Sequence, residues 1–95
     1  MKRDQVLEIL GNQKNELDKF KVKYLALFGS VARGEERTNS DVDILVDFTK
    51  PVGLFEFVRL KIYLEGLLNC SVDLVTPDAI REKMHKQILK EAIYA

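Results

Sequence analysis

The chain has 95 residues, of which 46% are hydrophobic and 32% are charged, and 15 basic residues balance 15 acidic ones. This size and composition are typical of one globular domain, so we expect residues 1–95 to form a single domain with no second lobe. A formal net charge of +0 excludes the long-range positive field that recruits nucleic acid or an anionic membrane, and we expect neither partner.

The amino-terminal segment has the periodicity of an amphipathic helix from about Arg3 to Lys19, weakened in its middle by Gly11. The chain starts with basic residues, but acidic residues at positions 4 and 8 come before any apolar run develops. We therefore expect no signal peptide. No apolar run is long enough to span a bilayer. The single Cys70 cannot form an internal disulfide, and we therefore expect a cytoplasmic protein.

Two apolar segments follow, and both have the pattern of strands. "VKYLALF" (22–28) is rich in strand-forming residues and ends at a glycine, which predicts a buried strand. Residues 30–34 predict one short helical turn. "DVDILVDF" (41–48) alternates strictly, so that Val42, Ile44, Val46 and Phe48 face one way and Asp41, Asp43, Leu45 and Asp47 the other.

The second half predicts a helix over 54–68, a strand over 71–75 and a last helix from Thr76-Pro77-Asp78 to about Ile93. The order of elements favours an α+β two-layer fold: a small mixed three-stranded sheet with helices on one face. The 54–68 helix is apolar around more than half of its circumference, although one sheet covers only one side. Either the terminal helices cover the remainder or, as we favour, part of it meets another subunit in a homo- or hetero-oligomer.

Asp41 and Asp43 pose a physical question, because neighbouring carboxylates on one face of a strand repel each other. A hard divalent cation with oxygen ligands relieves that repulsion. If the strand that carries Asp73 lies beside theirs, three carboxylates converge, enough to hold one or two Mg²⁺ ions and leave an oxygen as a base. An isolated Asp-x-Asp pair also fits a solvated strand face. His85, the only histidine, is expected at the surface rather than on a metal.

Upstream of the acids, a glycine-serine pair lies where the first strand turns into the short helix. Gly29 allows close approach of the backbone to a ligand, and Ser30 adds a hydroxyl. Arg33 ends the turn and has the fork geometry that suits phosphate oxygens. A phosphate cradle beside an acid cluster is the equipment for phosphoryl or nucleotidyl transfer.

The stretch "LFGSVARGEERTNSDVDILVDF", in which ten residues separate Gly29-Ser30 from the "DVD" triplet, resembles the signature of DNA polymerase β-like nucleotidyltransferases, and in particular their minimal nucleotidyltransferase (MNT) branch. The later "VDLV" and "ILKEAIYA" fit the same branch. The resemblance implies a nucleotidyltransferase fold in which Gly29 and Ser30 hold the terminal phosphates of ATP. It further implies that Asp41 and Asp43 bind Mg²⁺, and that Asp73 completes the metal site and activates the acceptor hydroxyl. A phosphate contact by Arg33 is our own hypothesis.

The same resemblance implies a partner. Larger relatives carry an additional domain for the acceptor, so we expect a separate protein to present it here. Members of the MNT branch work beside a HEPN (higher eukaryotes and prokaryotes nucleotide-binding) toxin, and some add AMP to a toxin tyrosine. The function expected is therefore AMP transfer from ATP to a hydroxyl of a HEPN toxin by an antitoxin. Two alternatives stay open: a non-catalytic nucleotide-binding antitoxin that acts by contact, and a small-molecule nucleotidyltransferase of the antibiotic-modifying type.

Overall fold

The computed structural model of the protein describes residues 2–34, 41–80, 86, 88 and 90–95. Its elements are α1 (Arg3–Gly11), α2 (Lys14–Lys19), β1 (Val22–Phe28), α3 (Gly29–Ala32), β2 (Val42–Phe48), α4 (Leu54–Leu68), β3 (Val72–Val75), a 3₁₀ turn (Pro77–Ala79) and β4 (Ile93–Tyr94). Helix α4 and the three longer strands lie where the sequence predicts them, within one residue. No helix in the described ranges is long and apolar enough to cross a membrane.

The sheet confirms the predicted fold class but corrects the strand count from three to four. Its order is β3-β2-β1-β4. Strand β1 is antiparallel to both β2 and β4, whereas β2 and β3 are parallel. Strand β4 has two residues, which pair with Leu27 and Ala26 of β1. A pair of residues is too short to show alternation in sequence, and its position is decided by the free edge of β1 that it covers.

The predicted amino-terminal helix is broken into α1 and α2 by a turn at Asn12 and Gln13. Gly11 and Asn12 both have low helix propensity, which makes this the weakest point of the segment. Tertiary contact fixes the turn, because the hydroxyl of Tyr63 in α4 donates a 2.8 Å hydrogen bond to Oε1 of Gln13. The break lets both helices place apolar side chains in one core.

The main core lies between the sheet and the helices α1, α2 and α4. It is built from alternate residues of each strand and from residues spaced by four along α4. Its most buried members, at 0–2% exposure, include Val6, Leu10, Leu27, Val42, Ile44, Val46, Leu60, Leu64, Leu68 and Val72. Asp43 and Asp47 of β2 and Asp73 of β3 therefore project from the opposite face of the sheet.

The opposite face is also partly covered, which corrects the prediction of helices on one face only. Ala26 and Leu45 are fully buried there, against Ile88. Ile88 belongs to helical residues near the carboxyl terminus. The predicted start of that last helix is wrong, since Pro77–Ala79 is a 3₁₀ turn and Ile80 is extended, with φ -90° and ψ 130°. Residues 81–85, with His85, lie outside the described residues.

Candidate active site

The centre of the site is the end of β1 against the beginning of β2. Antiparallel pairing sets Phe28 opposite Asp43, so the chain that leaves β1 at Gly29 runs directly over the Asp43 carboxylate. Gly29 has φ +74°, and a Cβ built on it would lie 2.9 Å from Cγ of Asp43 and closer still to Oδ2. Both the left-handed conformation and the lack of space require glycine here. The predicted glycine bend is therefore in contact with a predicted catalytic carboxylate.

The second carboxylate comes from the neighbouring parallel strand. Asp73 of β3 pairs in register with Asp43 of β2, and side chains in register on adjacent strands project from the same face. Asp43 is half-buried and Asp73 exposed. Burial, the charge of Asp73, the charge of Asp41 and a hydrogen bond between the Asp43 and Asp73 carboxyl groups together raise the pKa of Asp43 to about 6. Two of the three predicted acids thus touch.

The third acid, Asp41, lies close enough for its charge to raise the pKa of Asp43, but its side chain is exposed at the beginning of β2. Among the residues that the structure describes, no group of three or more acidic, histidine or cysteine side chains converges closely enough to hold a metal ion. The donor chemistry nevertheless fits Mg²⁺: hard carboxylate oxygens, crowded until one resists ionisation. Asp43 and Asp73 would be the core of such a site, with the exposed Asp41 as the third candidate ligand.

The structure describes the predicted phosphate-binding residues less completely than the acidic ones. Ser30 belongs to α3, but its side chain lies outside the described part of the chain. Arg33 follows α3, and its charge lowers the pKa of Asp43, so it lies near the carboxylates. Its Nη1 donates a 3.0 Å hydrogen bond to Oε2 of Glu91. Phosphate contacts by Gly29, Ser30 and Arg33 remain predictions.

One residue near the site was missed in the sequence. Glu65, in the last turn of α4, accepts a 3.0 Å hydrogen bond from the backbone N–H of Val72, directly before Asp73. A carboxylate in the last turn of a helix opposes the helix dipole. In the sequence, this unfavourable position was the one indication that Glu65 contributes something other than helix stability.

Residues 10–95 match the family model described as nucleotidyltransferase domain. The protein adenylyltransferase MntA of Thermococcus cleftensis is 41% identical over 92 residues, which cover 96% of this chain and 93% of that relative. A solved structure of a candidate minimal nucleotidyltransferase superposes with a TM-score of 0.84 at 35% identity, covering 98% of this chain and 95% of the other.

A more distant match shows the fold alone. It is to a complex of tri-AMPylated Shewanella oneidensis HEPN toxin with MNT antitoxin, at a TM-score of 0.59 and 21% identity. The superposition covers 88% of this chain and 69% of the matched chain.

Proposed function

The chain belongs to the nucleotidyltransferase domain family, a class of enzymes, and from this membership we propose that it is a protein adenylyltransferase that moves AMP from ATP to a tyrosine hydroxyl of a partner HEPN toxin. Membership confirms the resemblance that the Gly-Ser and Asp-x-Asp motif indicated. The observation that carries the proposal is the contact of the Gly29 bend with Asp43, in register with Asp73. The name of the MntA relative supports a protein as the acceptor, and that of the AMPylated toxin complex suggests a HEPN toxin as the partner, whereas the tyrosine rests on the sequence resemblance alone.

The residues of the site would divide the reaction between them. Asp41, Asp43 and Asp73 would hold one or two Mg²⁺ ions, which supply charge neutralisation at the triphosphate. Asp73, the exposed carboxylate, would accept the proton of the tyrosine hydroxyl as its oxygen bonds to the α-phosphorus. The bond from that phosphorus to the bridging oxygen breaks, and pyrophosphate leaves. Gly29, with Ser30 and Arg33 as neighbours, would hold the terminal phosphates.

The raised pKa of Asp43 would couple the binding of a cation to the release of a proton. At about 6, a measurable fraction of this carboxyl group is protonated near neutral pH in the metal-free protein. Ligation of a cation requires the ionised form, so binding would release that proton. We place the reaction in the cytoplasm, in which the lone Cys70 thiol stays reduced. Burial raises the pKa of that thiol, which keeps it unreactive.

A second candidate function is favoured by the surface of α4. Four apolar side chains form an exposed stripe along this helix, hereafter the apolar stripe: Leu54 (75% exposed), Phe55 (85%), Val58 (40%) and Ile62 (62%). Helices α1 and α2, and the described residues near the carboxyl terminus, leave this stripe uncovered. A patch of this kind suits contact with another subunit. We propose that it contributes to binding the toxin or a further copy of the chain, and contact alone is then a rival route to neutralisation.

The two functions are separated by one experiment. The chain is incubated with its toxin, ATP and Mg²⁺, and the toxin is weighed by intact-protein mass spectrometry. We expect AMP adducts with the wild type and none with the double variant Asp41→Asn/Asp43→Asn, with Asp47→Asn on the same strand as the matched control. An unmodified toxin in the presence of bound nucleotide would contradict AMP transfer. Full neutralisation by the double variant would establish contact as the mechanism.

A further inference from the structure

The peptide unit between Ser71 and Val72 is bound from both sides. Its carbonyl oxygen accepts a 3.0 Å hydrogen bond from the N–H of Val42 in β2. Its N–H points the opposite way and donates to Oε2 of Glu65 in α4, also at 3.0 Å. This peptide unit lies one residue before Asp73. The backbone that leads into Asp73 is therefore held in place by two hydrogen bonds.

The second of these hydrogen bonds replaces one that the sheet cannot supply. Strand β3 is an edge strand with β2 as its neighbour in the sheet, and it has four residues. An N–H that points outward from such an edge normally faces water or another chain. Glu65 occupies this position with a carboxylate acceptor, which forms a stronger hydrogen bond than a neutral group does. At its beginning, the short strand is therefore hydrogen-bonded to β2 on its inner edge and to Glu65 on its outer edge.

The anchor that holds Glu65 is rigid. Its neighbours one residue before and three residues after, Leu64 and Leu68, are buried at 0% and 1% exposure. Helix α4 ends at Leu68, and its C-cap residue Asn69 adopts the left-handed conformation with φ 53°. Residues 69–71 lead directly into β3. The helix that carries Glu65 is therefore fixed against the sheet by packing, and its carboxylate is half-buried beside the strand.

We propose that Glu65 is a positioning residue of the active site, which holds the beginning of β3 so that the Asp73 carboxylate stays level with Asp43. The inference rests on the proposed function for the role of Asp73. The strength of the anchor explains why a carboxylate is placed in the last turn of α4, where the helix dipole disfavours it. It also explains how an edge strand of four residues can carry a catalytic group although the described part of the chain places no further strand on its outer side.

The test compares two substitutions. Glu65→Leu removes the acceptor at similar volume, whereas Glu65→Gln keeps an acceptor oxygen and removes the charge. Glu56→Gln, at the exposed first turn of the same helix, is the matched control. We expect the amides of Val72 and Asp73 to exchange with solvent roughly tenfold faster in Glu65→Leu, as measured by NMR, at an intermediate rate in Glu65→Gln and at the wild-type rate in Glu56→Gln.

Catalysis supplies a second readout. In Glu65→Leu we expect kcat for AMP transfer to fall roughly tenfold, with a smaller change in KM for ATP, because Gly29 and Asp43 keep their places when β3 shifts. Glu65→Gln, which keeps an acceptor oxygen without the charge, should recover part of the lost kcat. If Glu65→Leu does not fold, Glu65→Asp, one methylene shorter, carries the same expectations.

The outcomes distinguish the inference from the function on which it rests. Wild-type exchange of the Asp73 amide in Glu65→Leu, or faster exchange with an unchanged kcat, would overturn the positioning role. A wild type that transfers no AMP would refute the proposed function, and amide exchange then decides the inference by itself.

Discussion

The crowding of carboxylates predicts that Asp43→Asn stabilises the metal-free protein while it removes activity. The pKa of Asp43 rises from 3.8 to about 6 in the folded state, about two units at 1.36 kcal/mol each, or at most about 3 kcal/mol. Asp43 is only half-buried, so solvent screening reduces this figure, and we expect roughly 1–2 kcal/mol at pH 7.5. For a domain of this size that corresponds to a rise in Tm of roughly 5–10 °C.

The pH dependence has a defined sign. A carboxyl group whose pKa is raised by folding contributes full stability below pH 3.8, and that contribution is lost as the pH rises through about 6. The gap between the variant and the wild type should therefore be near zero at pH 3.5, grow between pH 4 and 6, and stay constant above. Urea unfolding followed by circular dichroism in EDTA measures it.

Asp47→Asn is the control for this measurement, since Asp47 lies on the same strand and face but beside Tyr24. We expect it to change the free energy of unfolding by less than about 0.5 kcal/mol. Destabilisation of the protein by Asp43→Asn at pH 7.5, or an equal effect at pH 4 and pH 7.5, would show that the carboxylates do not repel each other as inferred.

Three further predictions concern the Gly29 bend, metal binding at Asp43 and the apolar stripe of α4. Gly29→Ala should cost about 2–4 kcal/mol by urea unfolding and Gly34→Ala about 1. Both glycines have positive φ, but a Cβ on Gly29 would meet the Asp43 carboxylate, whereas a Cβ on Gly34 would have no described residue within 4 Å. Equal losses would contradict the close approach. Mg²⁺ should raise Tm more at pH 7.5 than at pH 5, since protons compete for Asp43, and equal shifts would argue against a metal at this carboxylate. Phe55→Ser should change the free energy of unfolding by less than about 0.5 kcal/mol, because the side chain is exposed. It should weaken binding to the proposed toxin at least tenfold in calorimetry, with Glu56→Ser as the control. Undiminished binding would show that the apolar stripe is not part of the interface.

Much of the fold was predictable because it depends on local periodicity. The apolar run that ends at Gly29 gave β1, strict alternation gave β2, and helix α4 has its predicted bounds. The break between α1 and α2 was not predictable in position, since Gly11 only weakens the helix and the Tyr63–Gln13 hydrogen bond fixes the turn. The 3₁₀ turn at Pro77–Ala79 has the sequence of a helix start, and the extended conformation of Ile80 ends it.

The candidate site divides in the same way. Alternation alone placed Asp41 and Asp43 on one face, and a glycine at the end of a strand indicated a bend that needs space. The contact between Gly29 and Asp43 follows from the pairing of Phe28 with Asp43, which is set by the register of two strands that are distant in sequence. The register that levels Asp73 with Asp43 is of the same kind.

The sequence by itself therefore determined which side chains share a face and which chemistry they carry, because the direction of a side chain in a strand is a property of the backbone with a period of two residues. Only the tertiary structure decided which faces meet: the parallel pairing of β2 and β3, the hydrogen bond from Val72 to Glu65 and the cover that β4 gives to β1. These depend on the closing of long loops, whose free energy is repaid by packing that no local pattern records.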